Sequence, residues 1–224
     1  MPIRKLRIQK NRQAATGGAG MPRGGRIYTG RRGPQAGRPA PGPVAGAVFL
    51  DRDGVVNACP THRYITSWKE FRFLPGVLKA LRTLALHGER VLIVSNQSGV
   101  GRGLLQDSQL RLITRRMAAA IRRAGGKVQS VLYCVHRAEE GCGCRKPRIG
   151  MLLRAARRCT IDLKKSFVVG DQETDILMGR SAGCRTILVL SGKHTRRSAK
   201  ELTVLPDRIS GNLEEAVHWI LKQE

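Results

Sequence analysis

A chain of 224 residues with 41% hydrophobic content suits one domain with room for an appendage. Aromatics are only 4%, so Leu, Val, Ile and Ala must fill the core, and no apolar run approaches the ~20 residues of a membrane span. The net charge of +25 draws phosphates, nucleic acids and anionic surfaces without choosing among them, and no apolar signal-peptide core follows the basic N-terminus.

Residues 1–46 are rich in Gly, Arg and Pro, with ten Lys or Arg and no Asp or Glu. They lack apolar periodicity, and the expectation is a disordered basic tail. It is Arg-rich like a transit peptide but holds no Ser at all, and Met21 offers a later start. Residues 47–224 are expected to fold, and they too are basic, with 31 Lys or Arg against 16 acids.

Ala47 to Leu50 reads as a short buried strand. Val77, Leu78, Leu81, Leu84 and Ala85 recur at helical spacing, and Gly88 stops that helix. Val91 to Val94 is the next strand. A second helix runs from about Ser108 to Ala124, with Leu110, Ile113, Met117 and Ile121 on one side. Val128 to Tyr133 reads as a strand, 149–158 as a helix, 167–169 as a strand, 174–182 as a helix and 186–190 as a strand. Asn212 is placed to cap a last helix carrying Leu213, Val217, Ile220 and Leu221. Strands alternating with helices imply an α/β fold, a doubly wound, Rossmann-like parallel sheet whose ligands bind beyond the carboxyl ends of its strands.

The chemistry-bearing residues fall at those ends. Asp51-Arg52-Asp53-Gly54 follows the first strand. A carboxylate there can attack phosphorus if a cation suppresses repulsion, and a second one two residues on can act as acid and base. The same start opens calcium loops, but the twelfth position is His62 instead of Glu. Ser95-Asn96-Gln97-Ser98-Gly99 can donate hydrogen bonds to phosphate oxygens, or can simply be a turn. Arg145-Lys146-Pro147 offers a cation to a phosphoryl group, although such a pair is ordinarily a solvated surface feature. Asp171 and Asp175, after strand 167–169, can bind a hard cation such as magnesium or decorate a helix start.

Six cysteines are present, and three of them, Cys134, Cys142 and Cys144, crowd beside His136. Three thiols and one imidazole form a closed tetrahedral set, the expectation being structural zinc in a reducing compartment rather than disulfides. Cys159 and Cys184 read as small buried apolar residues, and Cys59 has no clear role.

Acid, hydroxyl, lysine and acid in this order resemble the haloacid dehalogenase phosphohydrolases. Together with the cysteine loop, the stretches Phe49–Asn57, Ser95–Gly103, Cys142–Pro147 with Gly150-Met151, and Val169–Asp171 resemble the D-glycero-D-manno-heptose 1,7-bisphosphate 7-phosphatase family over about residues 47–224. The resemblance implies a magnesium-dependent phosphatase with Asp51 as nucleophile and metal ligand. Asp53 would be general acid and base, with its backbone carbonyl on the metal, and Asp171 the third ligand. Ser95 and Lys146 would hold the phosphoryl group. Substrate contacts would come from Arg145, from the loop Thr61, His62, Arg63 and Tyr64, and from Arg52, Asn96, Gln97 and Ser98. That loop departs most from the family pattern, which leaves substrate more open than chemistry.

Only 37 residues separate Asn57 from Ser95, and 47 separate Ser98 from Lys146, so no large cap domain fits. The expectation is a cytoplasmic monomer acting on a small sugar phosphate, with nucleic acid reached through the basic tail only. Histidinol-phosphate phosphatase and a nucleic-acid 3′-phosphatase or binding protein are the alternatives. Arg145, and the lack of acids in Thr61–Tyr64, favour an anionic substrate over a cationic one.

Overall fold

The computed structural model describes residues 26–28, 44–59, 64–192 and 202–223. Its centre is a seven-stranded sheet. The strands are β1 (Arg26–Tyr28), β2 (Val48–Leu50), β3 (Val91–Asn96), β4 (Ser130–Cys134), β5 (Phe167–Gly170), β6 (Arg185–Val189) and β7 (Arg208–Ser210), in spatial order β1-β4-β3-β2-β5-β6-β7. Six of them run parallel, and β1 pairs antiparallel with β4.

The helices are α1 (Val77–Leu86), α2 (Asp107–Arg123), α3 (Gly150–Cys159), α4 (Glu173–Ser181) and α5 (Leu213–Ile220). Alternation along the strands sorts the core into two layers. Val48, Leu50, Val91, Ile93, Val169 and Ile187 pack with α1, α2 and α5. Phe49, Leu92, Val94, Leu132 and Val168 face the other way, onto Met151, Leu152 and Ala155 of α3 and Met178 of α4. Strands buried on both faces explain the unbroken apolar runs in the sequence.

Helix boundaries follow local chemistry. Asn212 caps α5, its side chain accepting from Glu215 N at 3.0 Å. The Gln172–Asp175 pair closes a capping box on α4. Gly88, just beyond α1, takes the left-handed conformation at φ 77°.

Three strand residues at 26–28 sit inside the segment expected to be without structure, which corrects that reading at those positions. Arg-Ile-Tyr is too short to carry a periodic signal, and β1 exists because the edge of β4 supplies its partners. The strand β7 escaped notice for the same reason. Residues 1–25, 29–43 and 60–63 lie outside the described residues, and so do the substrate-loop candidates Thr61, His62 and Arg63.

Candidate active site

The site lies at the carboxyl ends of β2, β3 and β5. Asp51 leaves β2 with its N–H donating to Val169 O at 2.9 Å, which sets it beside Asp171 at the end of β5. Gly54 then turns the chain at φ 88°, and a Cβ there would run into the Asp171 carboxylate. Gly192, after β6, closes on the same carboxylate, and Ser191 donates to Gly54 O at 2.9 Å.

Carboxylate oxygens of Asp51, Asp171 and Asp175 lie within 4.8 Å of one another, and all three residues are buried. Lys146 answers part of that charge. Its Nζ donates to Asp51 Oδ1 at 2.7 Å and to Asp175 Oδ1 at 2.6 Å, and its side chain is only 3% exposed. Burial opposes the ammonium, yet the two carboxylates hold its pKa above the ordinary lysine value, so Lys146 is a fixed cation. Burial, and then the charge of Asp51, push Asp175 above the usual carboxylate range despite Lys146. Three buried carboxylates against one lysine leave an excess of negative charge. An all-oxygen set with that excess fits a small hard cation.

Lys146 reaches this position through β3. Asn96 Oδ1 accepts from Lys146 N at 3.1 Å, and the Lys146–Pro147 bond is cis. Asp53 faces different partners. Its carboxylate accepts from Arg52 (2.8–3.0 Å), from Asn57 Nδ2 at 3.0 Å and from Gln97 Nε2 at 2.7 Å. The Asp53 side chain is therefore outside the carboxylate cluster, and Asp175, read from sequence as an assistant, is inside it.

Five substrate-contact candidates have hydrogen-bond partners within the protein. Arg52 is 1% exposed, tied to Asp53, with its guanidinium 5.6 Å from the centre of the Tyr133 ring. Burial opposes its charge, and Asp53 and Tyr133 restore it, keeping its pKa above the ordinary arginine value. This placement corrects the substrate-facing reading of Arg52, because a buried guanidinium must stay with its carboxylate. Gln97 is buried between Asp53 and Ser95 Oγ (3.3 Å), Asn96 braces Lys146, and Ser98 Oγ meets Tyr64 Oη at 3.0 Å. Tyr64 lies over Gly99, where a Cβ would stand 2.9 Å from its ring.

Sequence reasoning missed Asn57, Tyr133 and Thr114. They extend the polar chain beneath the site: Thr114 Oγ1 is 3.1 Å from Tyr133 Oη, and Asn57 donates to Asp53. A polar residue four places after Asp53 was the available signal for Asn57. Arg52→Met is expected to destabilise the protein by about 2–4 kcal/mol, since it removes three charge-assisted bonds and leaves Asp53 without its counter-charge. Thermal melting checks this, and an unchanged midpoint would show the pair to be dispensable.

Cys134, His136, Cys142 and Cys144 come together as the spacing predicts. Adjacent donors stand 3.3–3.7 Å apart. A tetrahedron with ligand bonds of about 2.0–2.3 Å has edges of roughly 3.3–3.8 Å, so the four can hold a metal ion without an open position. Arg145 leaves this loop and donates to His136 O at 3.4 Å. Cys184 is buried, its thiol pushed up to about 12 by burial; Cys159 is half-buried and Cys59 exposed.

The HAD-hydrolase-like family model matches residues 143–216. The D-glycero-β-D-manno-heptose-1,7-bisphosphate 7-phosphatase of Pasteurella multocida is 36% identical over 162 residues, covering 69% of this chain and 87% of the relative. The chain belongs to this phosphatase family. Its Haemophilus ducreyi member is 38% identical over 155 residues, covering 66% of this chain and 84% of that relative. The crystal structure of the D,D-heptose 1,7-bisphosphate phosphatase of B. bronchiseptica, complexed with magnesium and phosphate, superposes with a TM-score of 0.74. It shares 34% identity, covering 80% of this chain and 99% of that one. The D,D-heptose 1,7-bisphosphate phosphatase of Burkholderia thailandensis superposes with a TM-score of 0.59 at 30% identity, covering 79% of this chain and 98% of that one. The fold is the haloacid dehalogenase one, and the protein is a phosphatase. No helix among the described residues is long and apolar enough to cross a membrane.

Proposed function

We propose that this phosphatase removes the 7-phosphate of D-glycero-D-manno-heptose 1,7-bisphosphate, in the cytoplasm, through a phospho-aspartyl intermediate on Asp51. The observation that carries the reading is the buried set of Asp51, Lys146, Asp171 and Asp175, with Asp53 two residues from Asp51. The heptose bisphosphate phosphatases to which the chain is similar, and the oxygen-only donor set, support it.

Asp51 attacks phosphorus, and the bond to the ester oxygen breaks. Asp53 gives that oxygen a proton, then takes one from the water that cleaves the acyl phosphate, releasing phosphate and restoring Asp51. Lys146, fixed as a cation, and Ser95 hold the phosphoryl oxygens as charge shifts. Gln97, Asn57 and Arg52 position the Asp53 carboxylate. Asp51, Asp171 and the Asp53 carbonyl would hold magnesium, which supplies charge neutralisation between nucleophile and phosphate. Asp175 orients Lys146. Cys134, His136, Cys142 and Cys144 would hold a structural zinc that fixes the loop leading to Arg145. The catalytic unit is residues 47–224, acting as a monomer.

Arg145 stands two positions before Pro147 and beside the metal loop, where it can meet the distal phosphate or sugar oxygens of the substrate. Arg145→Ala is expected to lower kcat/KM for the bisphosphate by about 10–100-fold and to leave p-nitrophenyl phosphate nearly unaffected. Equal losses on both substrates would assign Arg145 to the fold or the chemistry. A phosphate-release screen over the heptose bisphosphate, histidinol phosphate and 3′-phosphorylated oligonucleotides tests the substrate. A preference for either of the last two would overturn it.

A further inference from the structure

A buried polar chain runs from the middle of α2 to the Asp53 carboxylate. Thr114 Oγ1 lies 2.7 Å from Leu110 O, one turn earlier in α2, and 3.1 Å from Tyr133 Oη. A threonine hydroxyl has one proton, and a carbonyl can only accept. Thr114 therefore donates to Leu110 O, and the Tyr133 phenol donates to Thr114. Tyr133 sits on β4 in register with Ser95 of β3, and its ring centre stands 5.6 Å from the guanidinium carbon of Arg52.

Arg52 completes the chain, Nε and Nη2 donating to Asp53 at 2.8–3.0 Å. Consecutive side chains of an extended strand point apart. Here Arg52 O accepts from Val56 N at 2.8 Å and from Asn57 N at 3.0 Å, and this turn lets the two neighbours meet. Asn57 and Gln97 bind the same carboxylate, while Asp53 itself stays partly exposed.

Stability does not account for these groups. Arg52, Tyr133 and Thr114 are all buried, and Tyr133 packs in a layer filled by Ile113, Met117 and Ile121. A cation and two hydroxyls placed there cost desolvation that apolar side chains of similar volume would avoid. What they add is direction. The bond to Thr114 orients the Tyr133 ring, the ring seats the guanidinium, and the guanidinium sets the plane of the carboxylate.

We propose that Tyr133 and Thr114 are positioning residues for the reaction. Acting through Arg52, they hold Asp53 in the orientation from which it protonates the leaving ester oxygen and then takes a proton from the attacking water. Neither residue touches the substrate. The inference rests on the acid–base role proposed for Asp53. Both proton transfers need the carboxylate at hydrogen-bond distance and correctly turned, whereas attack by Asp51 does not.

The test compares full-length Tyr133→Phe, Thr114→Val, the double variant, Thr114→Ser and Asp53→Asn on the heptose bisphosphate and on p-nitrophenyl phosphate. Nitrophenolate leaves without a proton, whereas a sugar alkoxide needs one. In Tyr133→Phe and in Thr114→Val, kcat/KM for the bisphosphate is expected to fall about 10-fold, against about 2-fold or less for the nitrophenyl ester. Phosphorylated protein should accumulate during turnover, because its hydrolysis still requires Asp53. The double variant should be no worse than either single one, since both remove the same bond. Thr114→Ser keeps the hydroxyl and should keep the parent kinetics. Tyr133→Phe leaves Thr114 bonded to Leu110 O, so its melting temperature should match that of the parent. Parent kinetics in Tyr133→Phe, or equal losses on the two esters without phosphorylated protein, would overturn the proposal. Should Asp53→Asn itself show no contrast between the esters, the acid–base role of Asp53 fails, and this inference fails with it.

Discussion

Asp51→Asn is expected to reduce turnover by about 10³-fold or more while leaving the fold intact. The amide is a far poorer nucleophile than the carboxylate, and the neighbouring carboxylates have other roles, Asp171 as a proposed magnesium ligand. Asp175 is already bound to Lys146 and to the first turn of α4, and Asp53 is enclosed by Arg52, Asn57 and Gln97. The fold should survive because Lys146 keeps its bond to Asp175 and an amide oxygen can still accept from Nζ. Steady-state phosphate release, with circular dichroism as the control, checks both halves. Substantial activity in a clean preparation would remove Asp51 from the centre of the mechanism. Asp53→Asn should also lose turnover, and it should differ by accumulating some phosphorylated protein, because attack on phosphorus does not itself require Asp53.

Stripping the metal from the cysteine loop is the second large effect. Purified protein should contain close to one equivalent of zinc, held apart from exchangeable magnesium. Its removal, or Cys142→Ser, is expected to lower the melting temperature by on the order of 10–15 °C, since ligation free energy is part of folding free energy. Cys134 and Cys144 sit in the α3-side core, so the four donors cannot simply turn outward to water. Without metal, the hydrogen bond that the Cys134 thiol donates to Cys144, and then burial, hold that thiol well above the ordinary thiol range. Loading therefore expels protons, and affinity should fall as pH is lowered. Activity should fall along with stability, because Lys146 is only two residues beyond Cys144. A metal-free protein with the same melting temperature would show that the loop does not depend on the ion.

The candidate residues Asp51, Ser95 and Asp171 were legible because each stands where a strand ends, and the sequence marks strand ends sharply. Val48–Leu50, Val91–Val94 and Phe167–Val169 are unbroken apolar runs that stop at an acid, a hydroxyl and a glycine–acid pair. The metal loop was legible because its four donors lie within eleven residues of one another. What sequence could not supply was the direction of side chains. Arg52 follows the nucleophile and looks like a substrate ligand, yet it points inward beneath Asp53, toward a Tyr133 brought there by β4. Asp175 reads as a helix-capping acid and is one, but the first turn of α4 also carries it to Lys146, 29 residues away along the chain. Both are tertiary facts, set by which strand lies next to which.

The antiparallel strand at Arg26–Tyr28 bears on how the protein behaves in concentrated solution. It occupies the hydrogen-bonding groups of β4 that would otherwise form a bare rim, pairing Ile27 with Leu132. An uncovered rim of this type is a template on which further chains can add strands. A chain beginning at Met21 keeps this cover, whereas one beginning at Ala47 loses it and presents Ser130–Cys134 to its neighbours. By covering that rim, β1 is expected to limit strand addition there, an effect independent of charge and of catalysis.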